Sequence, residues 1–379
     1  MSKKYDAYVW FYSGDDLGKL KRYFRELSCR RSKREKEITK NKNLSQDIIS
    51  QLYYFKIKKS VLLNLEFKDD IRVMYKNYLL PVLDIKNNLD SIDINERLLE
   101  ILTLDGGFWK FDNSPKYSLL VQIKFKLKKP YLSKDDDNFY IIDNPIVKEK
   151  VFKLPMVRAT TWKGALRFAA LKVFEEELQN GKITESDWKE KRALLVRLFG
   201  NEKDAMEKYL NKIIASEIKG DKSKVQEVEQ EFEKYLLENG YISKEIPSRT
   251  GRLFFYPTFF DRISLDVITP LSRESKTPGR GPIYFETVPE GTKGIFRILY
   301  YPFDQVAKGE FEKIEGEMKE EIEFLSEAMR KMFCETGFSA KKSSGFGTAK
   351  VVDYKVQSGS GISNSISSKI EDTIGGLRG

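Results

Sequence analysis

An α+β fold, a ferredoxin-like (RRM-like) sheet with helices packed on one face, is predicted by three observations on this 379-residue sequence. Apolar and polar residues alternate at 121–128, and apolar residues recur at helical spacing at 166–173. The later periodic segments complete the order strand, helix, insertion, strand, arm, strand, helix, strand.

The first strand is the plainest element. Val121, Ile123, Phe125 and Leu127 alternate with Gln122, Lys124, Lys126 and Lys128, which predicts a half-buried strand with a basic outer face. After an acidic loop, LPMVRATTWKGALRFAALKVFEEEL predicts a helix capped at Thr160 or Thr161, with Leu166, Ala169, Ala170 and Val173 on its apolar face. Residues 180–245 are charge-rich and broken at Gly220 and Gly240, and read as two or three inserted surface helices. GRLFFYPTFFDRISLDVI returns to aromatic and β-branched composition. The Pro-, Gly- and Arg-containing stretch 268–292 suits a hairpin or arm projecting from the body. GIFRILYYPF is a strand, 308–335 an amphipathic helix, and a Gly-rich loop at 337–347 precedes the last strand. The domain so defined spans 117–356, and residues 357–379 read as a flexible tail. Residues 1–116 form a basic mixed α/β block of their own, ending in the linker-like DGGFWKFDNSPK.

Charge narrows the partner. Lys and Arg number 67 against 57 Asp and Glu, a net of +10, and 19–42 alone carries eleven Lys or Arg against three Glu. A field this concentrated attracts phosphate backbones, although a solvated basic helix has the same composition. Cys29 and Cys334 lie far apart without metal or redox spacing, which fits a reducing cytoplasm. No apolar run is long enough for a membrane helix, and no membrane partner is expected. The chain has no histidine, which excludes imidazole proton relays, His-ligated metals and Ser-His hydrolysis. Any chemistry rests on carboxylates, lysines, tyrosines or a hard metal ion.

Several clusters suit such chemistry. Lys163 and Arg167, four apart at a helix start, share a face beside free backbone N–H groups and favour phosphate; surface cations near a helix end have the same pattern. In 341–347, Gly345 and Gly347 let backbone N–H groups approach a ligand while Lys341, Lys342, Ser343 and Ser344 add donors, or the segment is a tight turn before the last strand. Arg273, Lys276 and Arg280 lie among arm residues that cannot continue a sheet. Trp162 reads as core in preference to a base-stacking surface.

Four segments in series carry a resemblance. IIDNPIVKE (141–149) with LPMVRATTWKGALR (154–167), GRLFFYPTFF (251–260), ITPLSRESKTPGRGPIYFETVPEGTKGIFRI (268–298) and KKSSGFGTAKV (341–351) resemble RAMP-superfamily backbone subunits of type III CRISPR effector complexes. The match is close at Asp143, Pro145, Pro155, Lys163, Gly164 and Arg167, and covers about 117–356 without the 180–245 insertion.

The resemblance implies a cytoplasmic ribonucleoprotein of antiviral defence. The guide CRISPR RNA would be held through Lys163, Arg167, Arg252 and the 341–347 loop, with Arg273, Lys276 and Arg280 of the arm crossing the guide–target duplex by backbone and shape. Expected partners are guide and target RNA, a large polymerase/cyclase-type subunit and small subunits. It further implies that Asp143 cuts the paired target RNA with a divalent metal such as Mg²⁺, whereas the structural reading has Asp143 capping the turn before Pro145. One departure stands out: relatives carry a Gly-rich segment before this aspartate, where this chain has KKPYLSKDDDNFYII. Asp136 and Asp137 in that run, beside Asp135, are candidate metal ligands, or the three repel phosphate and mark a divergent loop. An architectural subunit without catalysis and a guide-maturing endoribonuclease are the alternatives, the latter disfavoured by the missing histidine.

Overall fold

The computed structural model describes residues 107–135, 144–150, 154–201, 204–268 and 283–378. The basic segment 19–42 lies outside the described residues, with the rest of 1–106. In chain order the elements are β1 (Leu119–Leu127), α1 (Ala159–Gln179), α2 (Trp188–Phe199), α3 (Ala205–Glu217), α4 (Val225–Glu238), β2 (Leu253–Phe255), β3 (Ser264–Ile268), β4 (Ile283–Thr287), β5 (Lys293–Tyr300), α5 (Phe303–Lys308), α6 (Phe311–Lys331), β6 (Ala349–Ser358) and α7 (Asn364–Gly375). The chain divides into two compact units. One includes Leu132–Met156 and Phe260–Thr292; the other includes 107–131, Val157–Phe259 and Lys293–Gly379.

The second unit is the predicted sheet. Its strand order is β2-β5-β1-β6, all antiparallel, from Leu119 opposite Tyr300 to Lys126 opposite Lys293 on one side of β1. With α1 between β1 and β2 and α6 between β5 and β6, this is the ferredoxin-like order of a split βαβ pair. On the other side of β1 the register shifts after Lys124, which faces Asp353 while Phe125 faces Val351, leaving Val352 as a bulge residue.

Period-two alternation decides what the sheet buries. Phe125 and Phe296 point under the helices, where Trp162 lies 5.9 Å and 4.8 Å from their ring centres and 4.4 Å from Phe338. Trp162 is wholly buried and its indole N–H donates to Thr258 Oγ1 at 3.1 Å, so it is core, as expected. Leu166, Ala169, Ala170 and Val173 of α1 meet Ile322, Leu325 and Met329 of α6 in the same layer as buried apolar faces. Truncating an aromatic of this cluster costs about 3–5 kcal/mol.

The other face of the sheet differs from the expectation of an open basic surface. Residues 107–111, expected as a linker, run across it: Gln122 accepts from the Trp109 N–H at 2.9 Å and donates to its carbonyl at 3.0 Å. Arg297 stacks on the Trp109 ring at 4.2 Å, and Lys124 sits 4.1 Å over Phe108. Gln122 and Arg297 are therefore buried although both are polar. Period two placed these side chains correctly but does not reveal that the chain itself covers them.

Two further expectations change. The tail is not loose: α7 buries Ile370 and Ile374 at 2% and 0% exposure, and Ser326 Oγ donates to the Thr373 carbonyl at 3.0 Å. The first residue of α1 is Ala159, with Arg158 as N-cap and no side-chain cap, so Thr160 and Thr161 lie inside the first turn. The insertion holds three helices, and an arginine cluster fastens it. Arg252, expected on RNA, is 1% exposed and donates to Asp304 at 2.8 and 2.7 Å and to Glu317 and Glu321 at 2.8 Å each. Arg197 of α2 shares Glu321 at 2.5 Å, and Arg249 shares Asp304 at 2.5 Å. A guanidinium with its donors spent on buried carboxylates is structural, because phosphate would have to displace ligands water cannot replace.

In the first unit, β3 and β4 form the root of the arm, in register from Ser264 opposite Thr287 to Ile268 opposite Ile283. The stretch beyond that root with Arg273, Lys276 and Arg280 lies outside the described residues.

Candidate RNA-binding surface

In the sheet unit the Gly-rich loop lies against α1 at Phe168, in the third turn from its tip. The α1 tip has no acidic residue in its first turn and no side-chain cap, and its first intrahelical bond runs from Trp162 N–H to the Arg158 carbonyl at 3.1 Å. Donors left uncapped at the positive end of a 21-residue helix favour an anion. Lys163 and Gly164 follow on the partly exposed surface, and a Cβ at Gly164 would meet nothing within 4 Å. That glycine therefore leaves a flat, open patch at the tip.

The loop faces the same helix. Lys342 Nζ lies 4.4 Å over the ring of Phe168, the residue after Arg167, and burial lowers the pKa of Lys342 from its ordinary value. Ser343 and Ser344 are exposed, and Lys341 takes a left-handed conformation at φ 57°. The glycines act differently from expectation. Gly345 N–H donates to the Lys342 carbonyl at 2.8 Å and Gly347 N–H to the Pro130 carbonyl at 2.9 Å, so both donors are spent inside the protein. A Cβ at Gly347 would sit 2.4 Å from Ser339 Cβ, whereas one at Gly345 would meet nothing. Both have positive φ, 72° and 76°. Gly345→Ala is expected to cost about 1–2 kcal/mol from φ alone. Gly347→Ala adds a backbone clash and should cost more; thermal melting of the two variants checks the order.

Arg167 is placed on this surface but engaged. It pairs with Asp204 at 2.5 and 3.3 Å, and the same carboxylate caps α3 by accepting from the Met206 and Glu207 N–H groups. Burial raises the Asp204 pKa, but the Glu207 N–H and Arg167 outweigh it and hold the group below its usual value.

The first unit contains the turn after Asp143, although Asp143 itself, Asp136 and Asp137 lie outside the described residues. Sequence reasoning missed the pair that pins this turn. Lys148 and Glu286 form an ion pair with side chains 0% and 1% exposed. Glu286 also accepts from the Ile146 N–H at 3.0 Å, and its own N–H donates to the Asn144 carbonyl at 3.0 Å. Thus 144–148 and the strand carrying Glu286, remote in sequence, are joined by hydrogen bonds and an ion pair. The available signal was an acid and a lysine inside otherwise apolar stretches, which are rarely buried unless paired. Among the described residues no group of three or more Cys, Asp or Glu side chains is placed to hold a metal. No helix among them is long and apolar enough to cross a membrane.

A family model described as the RAMP superfamily matches residues 124–350. Among solved structures, a chain of a cryo-EM structure described as the type III-B Cmr-beta bound to cognate target RNA is similar at 16% identity over 79% of this chain and 76% of that one, with a TM-score of 0.35. A comparison with curated proteins finds no match.

Proposed function

The chain belongs to the RAMP superfamily, and on that premise we propose that it is a guide-RNA-binding backbone subunit of a type III CRISPR interference complex that also cuts the paired target RNA. The observation that carries the binding part is Lys342 seated on Phe168 of the same helix whose uncapped tip carries Lys163. Cations, open backbone donors and a glycine-flattened surface recognise a sugar-phosphate chain without reading bases. The outer sheet face, where RRM domains stack bases, is occupied by Trp109 and its neighbours, which directs RNA to the helix tip and loop.

Cleavage is assigned to Asp143. In a chain without histidine, a carboxylate is the group suited to accept the 2′-hydroxyl proton as that oxygen attacks the adjacent phosphorus and the P–O5′ bond breaks, leaving a 2′,3′-cyclic phosphate and a 5′-oxygen that takes a proton from water. Asp143, with Asp136 and Asp137, would supply oxygen ligands of the kind Mg²⁺ takes, and the ion would stabilise charge on the phosphate. Lys148 and Glu286 fix the backbone at Asn144 and Ile146 immediately after Asp143. Guide RNA, target RNA and the large and small subunits of the complex are the partners. The reading is tested by ultraviolet cross-linking of the assembled complex to its guide: cross-linked peptides should include 159–168 and 341–347. Cross-links that avoid both would contradict it.

A further inference from the structure

We propose that the helical insertion lengthens the RNA surface: the outward face of α3, with Lys208, Tyr209 and Lys212, joins Phe168 and Lys172 of α1 to take single-stranded ribonucleotides running on from the Lys342 loop. The proposal rests on the RNA grip assigned above, and it adds a segment that lies outside the family's sequence motifs.

The geometry is a run of alternating cations and rings. Lys342 Nζ lies 4.4 Å from the Phe168 ring centre, Lys172 Nζ 5.9 Å from the same ring and 5.0 Å from that of Tyr209. Tyr209 is 39% exposed, unusual for a large aromatic side chain with no apolar layer over it. It is also held still: its hydroxyl donates to Glu175 Oε1 at 2.9 Å and accepts from Lys172 Nζ at 2.8 Å. A ring fixed at its polar end and open on its face is a platform on which any base can stack.

Electrostatics favour a polyanion there. Lys172 is neutralised by Glu175 at 2.6 Å and Arg167 by Asp204, so these pairs shape the surface without adding net charge. Lys208 and Lys212 supply the excess. Both are exposed, and four apart they share one face of α3 next to Tyr209 and away from buried Leu210 and Ile214. Two cations on one face with a ring beside them suit the phosphates and bases of a single strand.

The test uses the full chain and fluorescein-labelled oligouridines of roughly 15 and 5 nucleotides, read by anisotropy. The longer RNA can cover both the grip and the insertion; the shorter fills the grip alone. Tyr209→Ala is expected to weaken the longer RNA about 10-fold and leave the shorter unchanged, while Tyr209→Phe and Tyr209→Trp, which keep a ring, bind nearly as the native chain. Lys208→Gln with Lys212→Gln should lower the slope of log affinity against log salt by about 1.4. Wild-type affinity for the longer RNA in Tyr209→Ala, with Lys163→Ala/Lys342→Ala still weakened, would overturn the extension and leave the grip. If Lys163→Ala/Lys342→Ala binds as the native chain, the grip fails and the extension with it. Because Tyr209 is a surface residue, a melting curve identifies any variant that has lost its fold.

Discussion

Arg252→Met is expected to lower the stability of the sheet unit by about 3–5 kcal/mol, the usual result of removing one partner from a buried ion cluster. Arg252, Arg197 and Arg249 face Asp304, Glu317 and Glu321, and Glu321 is 0% exposed. Without Arg252, Glu321 keeps only Arg197 and Asp304 only Arg249. Arg252→Lys should recover little, because one ammonium cannot reach three carboxylates that a planar fork reaches. Denaturant unfolding measures the loss, and a Met variant as stable as the native chain would mean the cluster contributes no net stability.

The same cluster makes an acid prediction. Burial pushes the Asp304 carboxyl up, but hydrogen bonds and charge from Arg252, with Arg249, hold it at about 2. A carboxylate depressed in the folded state stabilises above its unfolded pKa of about 3.9, and loses that contribution as pH falls towards 2. The difference amounts to at most about 2.6 kcal/mol, screening by solvent at the partly exposed carboxyl reducing it. Asp304→Asn should flatten the stability profile between roughly pH 4 and pH 2 by that amount.

Asp143→Ala, tested in the assembled complex with guide and target, is expected to reduce target cutting by at least about 100-fold with guide affinity unchanged. Undiminished cutting would leave an architectural subunit with the same RNA grip. Glu286→Gln supplies the companion measurement. It weakens the side-chain bond to the Ile146 N–H, keeps the backbone bond to Asn144, and removes the negative charge that faces buried Lys148. Cutting should fall because the turn shifts, and stability should fall too. Pairing it with Lys148→Met removes both charges and should restore much of the stability, since a matched buried pair contributes little over apolar replacements. A positioning role thus separates from that of Asp143, whose loss should leave stability nearly intact.

What the sequence revealed follows from the range of each signal. Period-two alternation in β1 and the apolar stripe of α1 are local, so strand, helix and the burial of Trp162 were readable. Arg252 misled because the carboxylates that bury it lie 52–69 residues later in the chain. Lys148 and Glu286, 138 residues apart, escaped for the same reason. The tail was misread because serine and glycine dominate its composition, yet Ile370, Ile374 and Leu377 already had helical spacing. The loop glycines were right as glycines and wrong in role. Motif composition shows that φ must be positive or a contact close, but not which carbonyl takes the N–H.

The central claim is that Lys163 and Lys342 hold ribose-phosphate chain at the α1 tip. Its most direct measurement is the affinity of the full chain for single-stranded RNA across a salt series, for the native protein and for Lys163→Ala/Lys342→Ala. Removal of two phosphate contacts should weaken binding at every RNA sequence and reduce the log–log slope by about 1.4. An unchanged slope and affinity in the double variant would contradict the assignment.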